Sequence, residues 1–381
     1  MANTLTNLIP TILSAVDVVS RELTGFIPAV TLTPGAEKVA KDQTIRYPVA
    51  PAMTASAITP ATTGPTPVDQ TVSSDTMTIT DVESVKWAYN GDEEVGLQDN
   101  LNPILQSQFA QAMRVLTNKI ELALAALYLK TSGAYGAAAT APFASSLIDT
   151  AQILKVLKDR GAPTSDLQMV LGTTAGAALR TLSQLNKANE AADESLLRRG
   201  ILLDVHGFAI RESGQVKAHT AGTGASATTD AAGYAIGATT ITLASAGTGT
   251  ILAGDIVSFA GDANKYTVVT GDGNVADGGT IVLAAPGLLV AMSAATKAIT
   301  VTATHTANMA FSRSAIHLVT RTPLMPSGGD AADDVIDITD PVSGLVFQVA
   351  KYRQYRQTAY EVGIAWGVKG SKVEHIGRLI S

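Results

Sequence analysis

The sequence contains no cysteine. Disulfide bonds, zinc–thiolate sites and cysteine nucleophiles are therefore excluded, and the chain does not depend on an oxidising compartment. Charged residues make up only 16% of the chain and aromatic residues only 5%. A chain with so few charges and 46% hydrophobic residues can bury a sizeable core. We also expect much of its surface to contact protein rather than water.

Basic clusters and long apolar runs are also missing. The net charge is −6, and the longest basic run is the pair Arg198 and Arg199. Tight wrapping of nucleic acid needs many clustered Lys and Arg residues, so we exclude it. No apolar run approaches the roughly 18 residues of a membrane helix. No Lys or Arg precedes the first apolar stretch, so we predict neither a signal peptide nor a membrane span.

Residues 1–30 carry one apolar helical stripe. Pro10 suits the first turn of a helix, and Gly25 stands where a C-terminal cap would. Because one short helix is marginally stable alone, we expect this arm to dock on its own chain or on a neighbouring molecule. The stripe residues lie three and four positions apart, and they are Leu5, Leu8, Ile9, Ile12, Val16, Val19 and Leu23.

The clearest helix signal covers residues 103–130. Asn102 is a good N-cap, Pro103 suits the first helical position, and Gly133 follows the end. At 1.5 Å per residue this helix would be about 42 Å long, which is long for a globular protein and typical of a spine. Its apolar face consists of Leu105, Phe109, Met113, Leu116, Ile120, Leu124 and Leu127.

Two predicted strands flank a long proline-rich segment. Residues 44–50 alternate, and a second extended stretch covers 76–89. A connecting segment of this length is unusual inside a compact domain. It is either a flexible linker or the tip of a two-stranded arm that becomes ordered on another molecule. Its prolines are Pro51, Pro60, Pro65 and Pro67.

The composition changes near residue 214. Before it, 145–213 has mixed helical and extended patterns. Residues 214–305 are rich in Gly, Ala, Thr and Val, with short alternating runs between turn residues, which predicts an inserted all-β unit. Elsewhere we predict helices near 145–161 and 178–185, and strands near 167–171, 201–210 and 345–368.

Charged residues cluster in two places. Five aspartates lie within 330–340, and because their spacing fits no calcium loop we predict a solvated, mobile loop. Basic residues outnumber acidic ones from Lys351 to Arg378. This region is either a nucleic-acid face or a surface that pairs with acidic residues of another molecule.

No constellation of residues supports catalysis. The five histidines are scattered, and neither a P-loop nor a nucleophile elbow is present. Glycine-rich turns at 222–227 and 271–276 match a dinucleotide pattern, but neither follows a strand and opens a helix. We predict a protein that is not an enzyme and has no cofactor or metal site. A hydrolase using His317 and nearby aspartates is a rival without supporting spacing.

Four stretches give the chain a resemblance to a known family. LLRRGILLDVHGFAIRES (196–213), AFSRSAIHLVTRTPLMPSGG (310–329) and SGLVFQVAKYRQY (343–355) resemble, in this order, segments of tailed-bacteriophage major capsid proteins. LAGDIVSFAGDANKYTVV (252–269) is similar to part of the β-barrel inserted in short-tailed phage coat proteins. The resemblance implies an α+β Hong Kong 97 capsid fold with an inserted small β-barrel.

The family's architecture implies five parts. An axial domain and an insertion interrupt a peripheral domain that holds the spine helix 103–130. The boundaries we expect are 1–40 for the N-terminal arm, 41–90 for the extended E-loop, 91–144 with 345–381 for the peripheral domain, 145–213 with 306–344 for the axial domain, and 214–305 for the insertion.

The resemblance also implies a function. Pentamers and hexamers of the chain would form an icosahedral phage head around double-stranded DNA, with only weak, non-specific DNA contact. About forty residues precede the E-loop, so we expect a separate scaffolding protein, besides a portal protein and, as an option, a decoration protein. The expected location is the virion, assembled in the bacterial cytoplasm without a membrane. Rival interpretations are a tail-tube or decoration protein and a secreted β-rich surface protein.

Ten residues are candidate contacts between subunits. They come from the E-loop, the strand that follows it, the acidic run and the basic region near the end of the sequence. The candidates are Tyr47, Pro60, Pro65, Pro67, Asp69, Trp87, Asp333, Asp334, Arg353 and Arg356.

The proline-rich E-loop tip gives the first testable prediction. Proline limits the entropy that a segment loses on becoming ordered, so we expect 51–75 to lie across an adjacent subunit. Deleting residues 55–70 should block or weaken shell formation while the monomer still folds. Electron microscopy and sedimentation measure both effects, and unaltered shells would contradict the idea.

Overall fold

The computed structural model describes residues 24–49, 57–58, 60, 73–97, 101–182, 185, 204–326, 329–340 and 343–381. The α-helices in this part of the chain are α1 Gly91–Leu97, α2 Leu101–Ala125, α3 Ile148–Asp159 and α4 Thr173–Thr181. The first ten strands are β1 Thr31–Val39, β2 Thr44–Val49, β3 Ser73–Thr78, β4 Asp81–Asn90, β5 Gly133–Tyr135, β6 Leu167–Leu171, β7 Phe208–Glu212, β8 Ala218–His219, β9 Thr240–Leu243 and β10 Ile256–Phe259. The others are β11 Tyr266–Thr270, β12 Gly279–Leu283, β13 Ile299–Val301, β14 His305–Ser312, β15 Ile316–Pro323, β16 Ala332–Thr339, β17 Val346–Gln354, β18 Gln357–Gly370 and β19 Ile376–Ile380.

The long helix α2 packs on one face of a six-stranded sheet. The sheet has the order β1-β15-β18-β17-β16, and β4 branches from this path by pairing with β18. Phe109 of α2 is fully buried and meets the edges of two sheet residues, with ring centroids 4.9 Å from Trp87 and 5.8 Å from Tyr360. The apolar stripe of the helix and the alternation of β4 therefore meet in one core.

The predicted spine helix is confirmed, but its first and last residues differ from the predicted 103–130. It begins at Leu101, before the predicted N-cap Asn102, and its α-helical part stops at Ala125. Residues Ala126–Lys130 continue as a 3-10 turn. The carbonyl of Tyr128 in this turn accepts a hydrogen bond from the buried Arg378 guanidinium. Tightening into 3-10 geometry is common where a helix ends, and here it presents that carbonyl to the arginine.

A second sheet combines strands from the middle of the sequence with the last strand, β19. Its path is β13-β10-β11-β5-β19-β14-β6-β7, with β8, β9 and β12 branching from it. The helix α3 packs on β5 and β19 of this sheet, and α4 packs next to β6. The strands β9 to β13 enclose a separate core made mainly of Ile, Leu and Val. Only one residue pair, Tyr266 with Gly133, links β11 to β5.

Three predicted elements are corrected. The acidic run predicted as a loop contains the edge strand β16, which pairs with β17 because its apolar residues Ile336 and Ile338 alternate with the aspartates and pack on the core. The helix predicted over 178–185 is α4 and begins at Thr173, directly after the buried strand β6. The single stretch predicted over 76–89 is two strands, because the chain leaves the β2–β3 ribbon at Ile79 and enters the large sheet at Asp81.

The predictions for the arm at 1–23 and for most of the E-loop tip fall outside the described residues. The predicted strand pair near 201–210 is described from residue 204, where Val205 and Phe208 bridge across a turn at His206 and Gly207. The predicted buried strand at 167–171 is confirmed as β6.

A fully buried arginine stands where the second sheet, the end of the spine helix and the loop before β10 meet. Arg378 of β19 is 0% exposed. Its guanidinium donates to the carbonyl of Gly254 at 2.8 Å and to that of Tyr128, and it lies 4.9 Å from the centre of the Tyr128 ring. Burial lowers the pKa of Arg378 to about 10, so it remains charged at neutral pH. The charge is stabilised by carbonyl oxygens and an aromatic face rather than by a contacting carboxylate.

Two histidines complete this buried cluster. A guanidinium can only donate, so Nε2 of His305, 3.3 Å from Arg378, accepts. Its Nδ1, 2.8 Å from the Ala303 carbonyl, is therefore the protonated nitrogen. The His219 ring lies 5.5 Å from that of His305, and its Nε2 is 2.8 Å from Asp255. Burial, with a smaller contribution from the Arg378 charge, lowers the pKa of His305 to about 4.

The depressed pKa of His305 predicts a pH-dependent stability. The folded state keeps His305 neutral, whereas the unfolded state binds a proton below pH 6.5. The contribution of His305 to the free energy of unfolding should therefore be fully present above pH 6.5. It should fall as the pH drops towards 4, by up to about 3 kcal/mol. Denaturant unfolding at several pH values measures the effect. The variant His305→Gln, which cannot titrate, should show a flatter dependence, and identical slopes would contradict the assignment.

Candidate assembly surface

The hairpin between β17 and β18 projects an aromatic side chain between two arginines. Tyr355 is 91% exposed at the turn, and Arg353 and Arg356 flank it. Arg356 has φ +57°, in the left-handed region that a tight hairpin turn uses. An exposed tyrosine beside arginines is the composition that protein interfaces favour. The tip is therefore the strongest candidate contact in the described residues.

A groove of about 470 Å³ lies between this tip and the start of α1. Arg353 and Arg356 line one side, and Asp92 and Glu94 of α1 line the other. Gln354, Gln357 and Asn90 also line the groove. Charges of both signs in one groove suit a partner segment that carries both signs, rather than a polyanion such as DNA.

The structure brings together two of the predicted contact residues. Nε of Arg353 lies 3.2 Å from Asp333 across the β16–β17 pair. Asp334 accepts a hydrogen bond from the backbone of Val335 at 2.9 Å. The acidic strand and the arginine tip thus share one end of the large sheet. Because the Arg353–Asp333 pair is partly exposed, it adds little to stability by itself and fixes the side-chain direction.

The remaining predicted contacts lie elsewhere. Trp87 faces the spine helix and stacks on Tyr360 with ring centroids 5.8 Å apart, so it is mainly a residue of the core. Pro60 is exposed, and the backbone of Tyr47 lies in β2. Three candidates fall outside the described residues, and they are Pro65, Pro67 and Asp69.

A buried carboxylate anchors the chain segment at Phe26 and Ile27, just before β1. Glu121 of α2 is 1% exposed. It accepts hydrogen bonds from the backbone N–H groups of Phe26 at 3.1 Å and Ile27 at 2.8 Å, and from the Ser213 hydroxyl at 2.9 Å. Burial raises the pKa of Glu121, and these donors oppose the rise. One side chain thus fixes the entry of the arm relative to the spine helix and to β7.

The role of Tyr355 could be predicted from the sequence, whereas that of Glu121 could not. The two alternating strands around 354–357 indicate a hairpin turn, so Tyr355 could have been found from the sequence. Glu121 follows the apolar stripe residue Ile120 as many surface glutamates do. Its role depends on Phe26 and Ser213, which are far away in the sequence and close only after folding.

Possible metal ligands and the histidine of the hydrolase interpretation lie among the described residues. Within the described ranges, no three His, Asp or Glu side chains lie close enough to hold a metal ion. His317, the histidine of the rival hydrolase interpretation, is partly buried on β15, and burial lowers its pKa. Among the described helices, none is long and apolar enough to cross a membrane.

Similarity to known proteins is found at the level of structure and not of sequence. No protein-family model and no curated protein matches the sequence. The capsid structure of the cyanophage P-SCSP1u aligns with a TM-score of 0.50 and 12% identity, over 94% of this chain and 88% of that chain. The mature capsid of bacteriophage PhiM1 aligns with a TM-score of 0.47 and 12% identity, over 94% and 87%. A virus-like particle from Pyrococcus furiosus aligns at 0.45 and 9%, over 98% and 100%.

The likeness to the cyanophage capsid shows the fold of this chain. The chain has the α+β capsid fold of tailed phages, as the sequence resemblance predicts. The likeness extends over 94% of this chain. The insertion as a separate β-barrel and the boundaries of the five parts remain predictions.

The Glu121 anchor predicts a large loss of stability on truncation. Glu121→Ala leaves the buried N–H groups of Phe26 and Ile27 and the Ser213 hydroxyl without their acceptor. We expect the free energy of unfolding to fall by about 3 kcal/mol. Denaturant unfolding of the unassembled chain measures this. The matched control Glu83→Ala removes a partly exposed carboxylate that pairs with Lys119 and should change stability by less than about 0.5 kcal/mol. Equal effects would contradict the anchor.

Proposed function

We propose that this protein is a major capsid protein whose pentamers and hexamers build an icosahedral phage head around double-stranded DNA. The observation that carries the proposal is the fold shared with the cyanophage capsid over 94% of the chain. The proposed location is the virion, after assembly in the bacterial cytoplasm.

The assembly mechanism uses surfaces that one subunit cannot satisfy alone. Contacts between different patches of identical subunits close into rings when the rotation fits, and rings of five and six tile a closed shell. The β2–β3 ribbon extends from the large sheet, and the arginine–tyrosine tip projects at one end of that sheet. Extended segments let each subunit touch several neighbours, so that many weak contacts add up to a stable shell.

The candidate contacts at the tip give this mechanism specific residues. We infer that Arg353, Tyr355 and Arg356 of one subunit contact a second copy, with Asp333 and Asp334 at the same interface. The groove beside the tip carries both charge signs and can therefore receive a segment of the same chain, which also carries both signs. Rim charges of this kind guide association more than they add affinity.

The partner proteins are part of the same proposal. We expect a separate scaffolding protein and a portal protein, and a decoration protein is a further candidate. The net charge of −6 favours weak, non-specific contact with the packaged DNA, because a strongly basic inner wall would bind the genome. The proposed parts are those expected from the sequence, with 214–305 as the insertion and 145–213 with 306–344 as the axial domain.

Microscopy and sedimentation of the purified chain, alone and with a co-expressed scaffolding protein, test the proposal. Closed shells or rings of capsomer size are the expected result. A monomer or small dimer under both conditions would overturn the capsid role. Tubes stacked from rings would instead favour a tail-tube protein, the second virion candidate.

Reversing a charge at the tip tests the proposed contact surface. Arg356→Glu changes an exposed turn residue, so the free energy of unfolding should stay within about 0.5 kcal/mol of the original. Assembly into shells should fall by about tenfold or more, the effect of roughly 1.4 kcal/mol per contact. Arg356→Lys keeps the positive charge and is the matched control. Light scattering during assembly measures the yield, and normal assembly of Arg356→Glu would exclude the tip from the interface.

A further inference from the structure

The β2–β3 ribbon forms its own two-stranded sheet and meets the large sheet through a small patch. Met77 and Ile79 at the base of the ribbon are buried against Val319 and Ala365 of the sheet. The backbone N–H of Thr80 donates to the carbonyl of Trp366 at 3.1 Å. The rest of the ribbon extends beyond this patch, so small changes at the base alter the direction of the whole ribbon.

A glycine allows the ribbon to lie directly on strand β18. A Cβ atom added at Gly367 would lie 2.2 Å from the carbonyl oxygen of Thr78. This is closer than real Cβ contacts, and the obstructing atom belongs to the backbone. Any side chain at Gly367 must therefore lift the ribbon or bend β18. Close backbone approach is a recognised reason for glycine within a strand.

An ion pair beside this glycine fastens the ribbon to the same strand. Nζ of Lys369 on β18 pairs with Asp75 of β3 and also donates to the Thr76 carbonyl at 2.7 Å. The two charged side chains are 29% and 32% exposed. Lys369 lies opposite His317 of β15 in the sheet register. The lysine therefore connects the middle of the sheet to the ribbon above its hydrophobic base.

We propose that Gly367, Lys369 and Asp75 form a latch that holds the ribbon in one orientation and thereby sets the size of the assembled shell. The second half rests on the proposed capsid function, and the first half does not. A partly exposed ion pair adds little to global stability. Opening the latch therefore changes the ribbon's orientation without unfolding the subunit, as an adjustable part requires.

The latch is tested first on the unassembled chain by amide hydrogen exchange. Lys369→Ala should make the amides of β2 and β3 exchange about tenfold faster, because local opening becomes easier. Gly367→Ala should have a similar effect by lifting the ribbon. Amides of β17 and of the spine helix, away from the latch, should keep their rates. Unchanged exchange in the ribbon of both variants would overturn the latch.

Two control variants separate the latch from a general loss of charge or stability. Lys119→Ala removes another surface lysine from an ion pair, with Glu83, and should leave ribbon exchange unchanged. The double variant Asp75→Lys with Lys369→Asp restores the ion pair with its two charges exchanged. Its ribbon amides should exchange more slowly than those of Lys369→Asp alone. Acceleration by Lys119→Ala, or no recovery in the double variant, would overturn the specific role of the Lys369–Asp75 pair.

Shell size is tested by cryo-electron microscopy of particles assembled from each chain. The unaltered chain should give one diameter, and Lys369→Ala should give a mixture of diameters or open sheets. Uniform shells of the original size from Lys369→Ala, despite faster ribbon exchange, would overturn the link to size while leaving the latch. If the unaltered chain forms no shells, the proposed function fails, and the exchange experiment still decides the latch.

Discussion

The burial of one positive charge determines how the parts of this molecule fit together. Arg378 has no access to water, so its guanidinium requires acceptors at fixed positions. The end of the spine helix supplies the Tyr128 carbonyl and ring, and the loop before β10 supplies the Gly254 carbonyl. The Nε2 lone pair of the neutral His305 ring faces the Arg378 guanidinium. The spine, the second sheet and the β-rich region are held in one geometry because each contributes to stabilising this charge.

The interior and the projecting parts differ in how their charges are paired. Arg378 and Glu121 are buried and are stabilised chiefly by backbone groups, whose positions are fixed by the fold. The ribbon and the hairpin tip instead use ion pairs that are partly open to water, such as Lys369 with Asp75 and Arg353 with Asp333. Buried pairings are costly to break, whereas exposed ones are weak. The body is therefore rigid, and the parts that reach outwards can adjust.

Sequence periodicity predicted the elements that have one clear apolar face. The spine helix and the strand β6 were found because every turn or alternate residue contributes to a core. The edge strand β16 was missed because its aspartates hide an alternation of Ile336 and Ile338. Trp87, which remains a predicted subunit contact, also packs against Phe109, and Phe109 lies on a different element. Contacts of this kind depend on tertiary proximity, which spacing along the chain does not contain.

The scarcity of charge now has a structural explanation. The cyanophage capsid shares this fold at 12% identity, so the fold depends on apolar pattern and backbone pairing more than on particular side chains. Charged residues make up only 16% of the chain, and some of them occupy positions where backbone pairing alone does not fix geometry. Such positions include the entry of the arm, the base of the ribbon and the tip of the hairpin. At these positions, charge fixes the orientation of one part of the molecule relative to another.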